Sequence, residues 1–182
     1  MPDLIAVGRA EPAPVAVPLA ARGNHQDWLV SWHPPADRPV GRAHGASGVC
    51  LDGTDLVLVS HEGEHFGLPG GRQEGDETDL ETLCREMREE ACVRVTEARL
   101  LGHTRSECVA GRELGVVLVR SFWRAEVLLD PWEPRFEVPH RRVVPSAAAG
   151  DEVWDVADGS ARIIARVLRE AGLTRCGRSP GR

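Results

Sequence analysis

Residues 71–93 read GRQEGDETDLETLCREMREEACV. Gly71 is followed six residues on by Glu77, and eight residues further by the run Arg85-Glu86-Met87-Arg88-Glu89-Glu90. Glu86, Glu89 and Glu90 therefore stand at i, i+3 and i+4, positions that share one helix face within an arc of about 100°. Three carboxylates this close repel one another unless something positive sits among them. A hard divalent cation with oxygen ligands meets that need.

The same stretch carries its own helix signals. Thr78 and Glu81 form a [ST]-x-x-E capping box, so the sequence predicts a helix over about 78–91 with Thr78 as N-cap. Leu80, Leu83, Cys84, Met87 and Ala91 form an apolar stripe, with the glutamates roughly opposite. Upstream, Leu68-Pro69-Gly70-Gly71 and Gly75-Asp76 read as a tight loop that lets backbone carbonyls approach a ligand or metal. Mixed Glu and Arg on a helix are in general a solvated face with i,i+4 pairs. What sets this one apart is its register with Gly71 and Glu77.

The pattern resembles the Nudix box, G-x5-E-x7-R-E-U-x-E-E-x-G-U with U an aliphatic residue. Gly71, Glu77, Arg85, Glu86, Met87, Glu89, Glu90 and Val93 match, and Leu68-Pro69-Gly70 completes the Leu-Pro-Gly-Gly lead-in. Cys92 stands where the box has its second glycine. If that glycine has positive φ, Cys92 costs about 1 kcal/mol there or forces a different helix end.

The resemblance implies an α/β (α+β) fold, a Nudix-like α/β/α sandwich with a mixed sheet between helices. It also implies a metal-dependent pyrophosphohydrolase that cleaves a nucleoside diphosphate linked to another moiety by water attack on phosphorus. Mg2+ or Mn2+ would be the cofactor, with Glu86, Glu89, Glu90 and the Gly71 carbonyl as ligands. Glu89 is the candidate to orient or deprotonate water, Arg85 to position the carboxylates, and Glu77 to serve structurally near the helix N-terminus. Glu133 and Glu137 lie where some relatives recruit a further glutamate. The alternative is a non-catalytic, nucleotide-sensing regulatory domain of the same fold. All three glutamates remain, which favours the enzyme, because unmetallated they repel.

Base recognition calls for an aromatic stack. Trp28, Trp32, Phe66 and Trp123 are candidates, with Phe66, Trp32 and Glu137 assigned to substrate binding, although core packing suits each aromatic equally well. Motifs typical of coenzyme-A-, NADH- and ADP-ribose-type relatives are absent, and a chain without tyrosine lacks that of the dinucleoside-polyphosphate group. Nucleoside triphosphates or nucleotide-sugar-type substrates remain. The histidines His61, His65, His103 and His140 are candidates to line the cleft; Glu-Gly-Glu between His61 and His65 suggests a loop and argues against zinc.

The 182 residues suit one domain with short extensions. A net charge of -6 argues against general nucleic-acid binding. Every basic residue is arginine, so no lysine nucleophile or Schiff base exists, and arginine, metal or backbone N–H groups must meet phosphates. Five cysteines, Cys50, Cys84, Cys92, Cys108 and Cys176, form no C-x-x-C pair, which fits a reducing cytoplasm. No apolar stretch reaches the roughly 18 residues of a membrane span, and residues 1–23 lack the pattern of a signal peptide. The expected partner is a small-molecule nucleotide, and the sequence leaves a homodimer open.

Along the chain we expect an N-terminal extension over 1–25 with a short strand in it, a domain over 26–172 and a disordered tail over 173–182. Residues 28–32 read as an edge strand. Residues 46–51 and 55–60 read as a hairpin around Asp52-Gly53. Residues 94–104, 114–129 and 141–144 complete the strands, with 114–129 central and a Pro-punctuated loop at 132–139. Residues 160–171 form a second amphipathic helix that Gly172 ends.

Overall fold

Residues 46–59 alternate between two cores. The computed structural model describes residues 17–133, 138–153 and 159–173. In it Arg42–Asp52 (β3) and Asp55–Ser60 (β4) form the expected antiparallel hairpin. Val49, Leu51, Leu56 and Leu58 enter one core, whereas Ala46, Cys50, Val57 and Val59 enter the other. A strand pair buried on both faces needs a helical layer on each side. Those layers are α1 (Asp79–Ala91) and α3 (Gly159–Glu170).

The sheet order is β1-β2-β6-β7-β3-β4-β8, with the short β5 (Gly70–Gly71) pairing with β3. Val117–Leu129 (β7) is central, as expected, running parallel to β3 and antiparallel to Val93–Ala110 (β6). The sheet is thus mixed, within an α/β/α sandwich. Gln26–His33 (β2) is an interior strand, paired on both sides, which corrects the expectation of an edge. The edge is Leu19–Gly23 (β1), the short strand expected in the N-terminal segment. The other edge is His140–Pro145 (β8).

Helix α1 starts as its sequence predicts. Thr78 Oγ1 accepts from the Glu81 N–H and the Glu81 carboxylate accepts from the Thr78 N–H, so both halves of the capping box are made. Leu83, Met87 and Ala91 pack into the second core. Leu80 does not join them; it is 43% exposed and lines a surface cavity with Leu100, His103 and Trp123. The helix ends at Cys92 with φ 49° and ψ 52°, a left-handed residue where the box has glycine. Arg141 on β8 donates from Nη1 to the carbonyls of Ala91 (2.9 Å), Cys92 (3.1 Å) and Asp130 (3.1 Å). A cation there satisfies carbonyls that the helix leaves free and opposes the negative end of its dipole.

On the opposite face, Ile163, Val167 and Leu168 of α3, with Ala171 just beyond it, are buried, and Gly172 follows with φ +83°. A 3-10 turn (Ser146–Ala148) and a short α2 (Ala149–Glu152) precede α3, neither of them signalled by the sequence. Leu173 belongs to the fold: its N–H donates to Leu168 O at 2.8 Å. The rest of the expected tail, with Cys176, lies outside the described residues, as do residues 1–16 and Glu137.

Candidate active site

β5 sets the glutamates against the sheet. Ala46 pairs with Gly71 and Ser47 with Gly70. A Cβ on Gly71 would lie 2.2–2.4 Å from the carboxylate atoms of Glu86, so only glycine leaves that carboxylate its place. The Gly71 carbonyl oxygen, an expected ligand, lies tight against Gly45 of β3. Glu90 accepts the Gly70 N–H at 2.8 Å.

Arg85 binds the loop to the helix. Its Nε and Nη2 hold both oxygens of Glu77 at 2.7 and 3.0 Å. Its Nη1 reaches Glu86 and Glu89, each at 3.0 Å, and Nη2 also donates to the Arg72 carbonyl at 2.7 Å. One rigid five-donor fork thus joins three carboxylates and a carbonyl. Glu77 also accepts from Thr82 Oγ1 and from the Glu74 N–H. The hydrogen bonds from Arg85, and then the one from Glu74, pull its carboxyl down to about 2. This geometry suits the structural role expected of Glu77.

Glu86 and Glu90 are pushed the other way. Burial raises both above the ordinary carboxylate range, against Arg85 for Glu86 and against the Gly70 N–H for Glu90. Glu86 is buried, although the helix pattern put the glutamates on the solvent side; the loop covers it. Partly desolvated, like-charged carboxylates gain from a bound cation. The donor set, all hard oxygen, suits Mg2+ or Mn2+. Among the described residues no three His, Cys, Asp or Glu side chains form a ready-made ion cage. Arg85 and the Gly70 N–H hold the carboxylates in the present arrangement.

Arg120 was not singled out in the sequence. It projects from β7, donates to Ser47 Oγ at 2.9 Å and lies within the field of Glu86 and Glu90. Burial lowers its pKa and the two carboxylates oppose that. Its one signal is a lone charge amid the apolar run VVLVRSFW, residues 116–123. Arg120 also lines a cavity of about 540 Å3 with Trp28, Arg42, His44, Arg72 and Leu118. His44 is driven down to about 4, first by burial and then by Arg120, Arg72 and Arg42. A positive field therefore fills the space beside the glutamates.

The aromatics are sorted differently from the expectation. Trp32 and Phe66 are each 6% exposed core residues, Trp32 packed on Phe122 at 5.9 Å between ring centroids. Phe66 carries the Arg142 guanidinium over its ring. Neither lines the large cavity; Trp28 does. Trp32 lies on the strand QDWLVSWH, whereas Phe66 follows the polar run HEGEH; in both, burial of the ring outweighs display to solvent. Glu133 and Glu89 share a cavity of about 400 Å3, and His61 and His65 line one of about 320 Å3 with Glu90. His103 is 2% exposed beside Asp79, away from the glutamates.

A family model, the NUDIX domain, matches residues 41–167. The chain belongs to the Nudix hydrolase family. Among Nudix relatives, "Putative 8-oxo-dGTP diphosphatase 3" of Mycobacterium tuberculosis is 39% identical over 92 residues, covering 43% of this chain and 40% of that protein. The chain therefore spans well under half the length of the curated Nudix relatives it matches. Solved Nudix structures share the fold. The pyrophosphohydrolase BsRppH of Bacillus subtilis superposes with TM-score 0.62 at 22% identity, covering 84% of this chain and 97% of that one. The NUDIX hydrolase of Nitrosomonas europaea gives 0.55 at 15% identity, over 73% and 89%. No helix among the described residues of this Nudix chain is long and apolar enough to cross a membrane.

Proposed function

We propose that this Nudix protein is a metal-dependent pyrophosphohydrolase acting on a nucleoside diphosphate linked to another moiety, of nucleoside triphosphate or nucleotide-sugar type. The observation that carries this reading is Arg120, which lines an arginine-rich cavity large enough for a nucleotide and lies in the field of the two glutamates Glu86 and Glu90. The name of the Mycobacterium tuberculosis relative points to a nucleoside triphosphate.

Water attacks phosphorus, the anhydride oxygen leaves with one phosphoryl group, and the products are a nucleoside monophosphate and a phosphorylated second moiety. Glu86, Glu89 and Glu90, with the Gly71 carbonyl as a further donor, would hold Mg2+ or Mn2+, which supplies charge neutralisation and a more acidic water. Glu89 is the best placed to orient that water or take its proton. Its side chain is 31% exposed against 10% for Glu86, and Arg85 fixes one of its oxygens at 3.0 Å. Arg85, locked by Glu77, keeps Glu86 and Glu89 in register. Arg120 meets phosphate charge from the sheet side, and Trp28 offers a ring for the base.

The test is a panel of nucleoside triphosphates and nucleotide sugars with Mg2+ and Mn2+, read by product mass. Release of a nucleoside monophosphate supports the reading. Tight binding of nucleotides without any product, across the panel and both ions, overturns it in favour of a nucleotide sensor.

A further inference from the structure

Among the described residues, His103 alone has buried side-chain polar atoms with no hydrogen-bond partner. It lies on β6, is 2% exposed, and neither ring nitrogen is bonded. Its Nε2 stands 3.9 Å from Asp79 Oδ2, beyond hydrogen-bond reach. Asp79 is already taken by the Arg38 guanidinium, which grips both its oxygens at 2.6 and 3.2 Å. Burial, and after it the charge of Arg38, lowers the His103 pKa against the pull of Asp79, so the ring is neutral. A neutral imidazole has one N–H to donate and one lone pair to accept, and a native interior rarely leaves both unused.

His103 lines a cavity of about 520 Å3 with Pro35, Leu80, Leu100 and Trp123, beside the first turn of α1. Thr104, next along β6, lines the large arginine-rich cavity instead. Adjacent strand residues point to opposite faces, so the two cavities lie on opposite faces of the sheet, with Ala43 and Gln73 bordering both. The other polar groups around His103 are engaged. Arg38 and Asp79 hold each other, and Glu77 is held by Arg85. Gln73 Nε2 donates to the Glu77 carbonyl, and Trp123 Nε1 donates to Ser121 Oγ at 3.0 Å. The walls therefore present apolar surface and one unsatisfied, uncharged imidazole.

We propose that this cavity is a second binding site, for a neutral, flat nitrogen heterocycle of the purine or benzimidazole kind, packed against Trp123 and hydrogen-bonded to His103. Such a ring carries both a donor and an acceptor, so it meets the imidazole in either tautomer. Its faces bury apolar area against Leu80, Leu100 and Trp123, and the cavity has the volume of small-molecule sites. With its charged groups already paired, the site favours an uncharged ligand over a phosphate-bearing one. It stands apart from the glutamates and does not depend on the proposed hydrolysis.

The experiment uses probes without phosphate, so its outcome is separate from whether the chain hydrolyses anything. Binding of adenine and of benzimidazole to the full chain is measured by calorimetry near neutral pH, with indene, the carbocyclic analogue of benzimidazole, as control. At least one heterocycle should bind saturably with one ligand per chain, and indene about ten-fold or more weaker, the worth of one buried hydrogen bond. His103→Phe should weaken the heterocycle by about the same factor and leave the melting temperature unchanged or raised, since an apolar ring has no unpaired nitrogen to bury. Leu80→Glu, at the exposed mouth of the cavity, should also weaken it, and serves if His103→Phe melts early. Trp28→Leu, in the large cavity, should leave heterocycle affinity within two-fold. Absence of saturable binding by either heterocycle overturns the proposal and leaves His103 to a buried water. Binding that survives both His103→Phe and Leu80→Glu, or that Trp28→Leu removes, overturns it as well.

Discussion

The glutamates of α1 and the arginines across the cleft have opposite charge and opposite origins. Glu86, Glu89 and Glu90 fall within five residues of one helix; a single arginine eight residues after Glu77 ties the first two to the loop, and the Gly70 N–H ties the third. Arg42, Arg72 and Arg120 come from β3, the loop after β5 and β7, and only the strand order brings them to one cavity. The acidic wall is satisfied internally: Arg85 and the Gly70 N–H take its oxygens. In the basic wall Arg42 and Arg72 are exposed to solvent, with no side-chain hydrogen bond to another described residue, and Arg120 donates to Ser47 Oγ. The difference suggests a division of labour. On the proposed function, the acidic wall is held in register for an ion and the basic wall is left open for the rest of the substrate.

The largest effect is expected at Glu90. Glu90→Gln should fold normally and lose about 10²–10⁴-fold in kcat at saturating Mg2+, since an amide binds a hard cation poorly. Glu81→Gln, on the same helix but engaged in capping, should leave kcat within two-fold. Equal turnover of wild type and Glu90→Gln would reduce Glu90 to a loop anchor for Gly70. Arg120→Met should fall next, by about 10–100-fold in kcat/KM, the value of a charge-assisted contact of roughly 1.5–3 kcal/mol. Its fold should hold, because an apolar side chain suits a desolvated site. A kcat/KM within three-fold of wild type would show that the basic wall plays no part in the reaction.

A smaller effect is expected at Glu77, where Arg85 closes the acidic wall on the loop. The Glu77 carboxyl lies at about 2 in the folded chain against an ordinary value of 4.5. A carboxyl depressed on folding stabilises above its unfolded value, and that contribution fades as pH falls from about 4.5 to about 2. Urea unfolding across this window should show wild type losing more stability than Glu77→Gln. Parallel curves would mean that the Arg85 bond to Glu77 adds nothing to the folded state. The smallest change concerns the far end of the helix. Cys92 is left-handed, so Cys92→Gly should leave stability unchanged or raise it by less than about 1 kcal/mol, with metal dependence unaltered. A clear loss would show that the thiol, which donates to the Glu133 carbonyl at 3.5 Å, outweighs backbone strain.

What could be read from the sequence follows the same division. The capping box, the glutamate register, the hairpin around Gly53, the central β7 and α3 are local patterns, and each stands where its residues put it. Edge and interior strands are a matter of partners, so β2 was misplaced. Trp32 and Phe66 fail for a related reason: an aromatic side chain carries no local sign of whether its strand face meets a core or a cleft. Trp28, four residues before Trp32 on the same strand, lines the cavity while Trp32 is buried beneath the sheet's other partners. The basic cavity was invisible because residues 42, 72 and 120 acquire meaning only together. The 3-10 turn and α2 have no capping side chain and no periodicity long enough to register.

Whether the glutamate wall works by holding a divalent cation is decided by removing and restoring that ion. Protein stripped by exhaustive chelation and dialysis is offered a nucleoside triphosphate, and the monophosphate product is quantified by mass before and after Mg2+ or Mn2+ is added back. The account predicts no product from the stripped protein, full recovery with the ion, and no recovery in Glu90→Gln. Undiminished turnover in the stripped protein would contradict it.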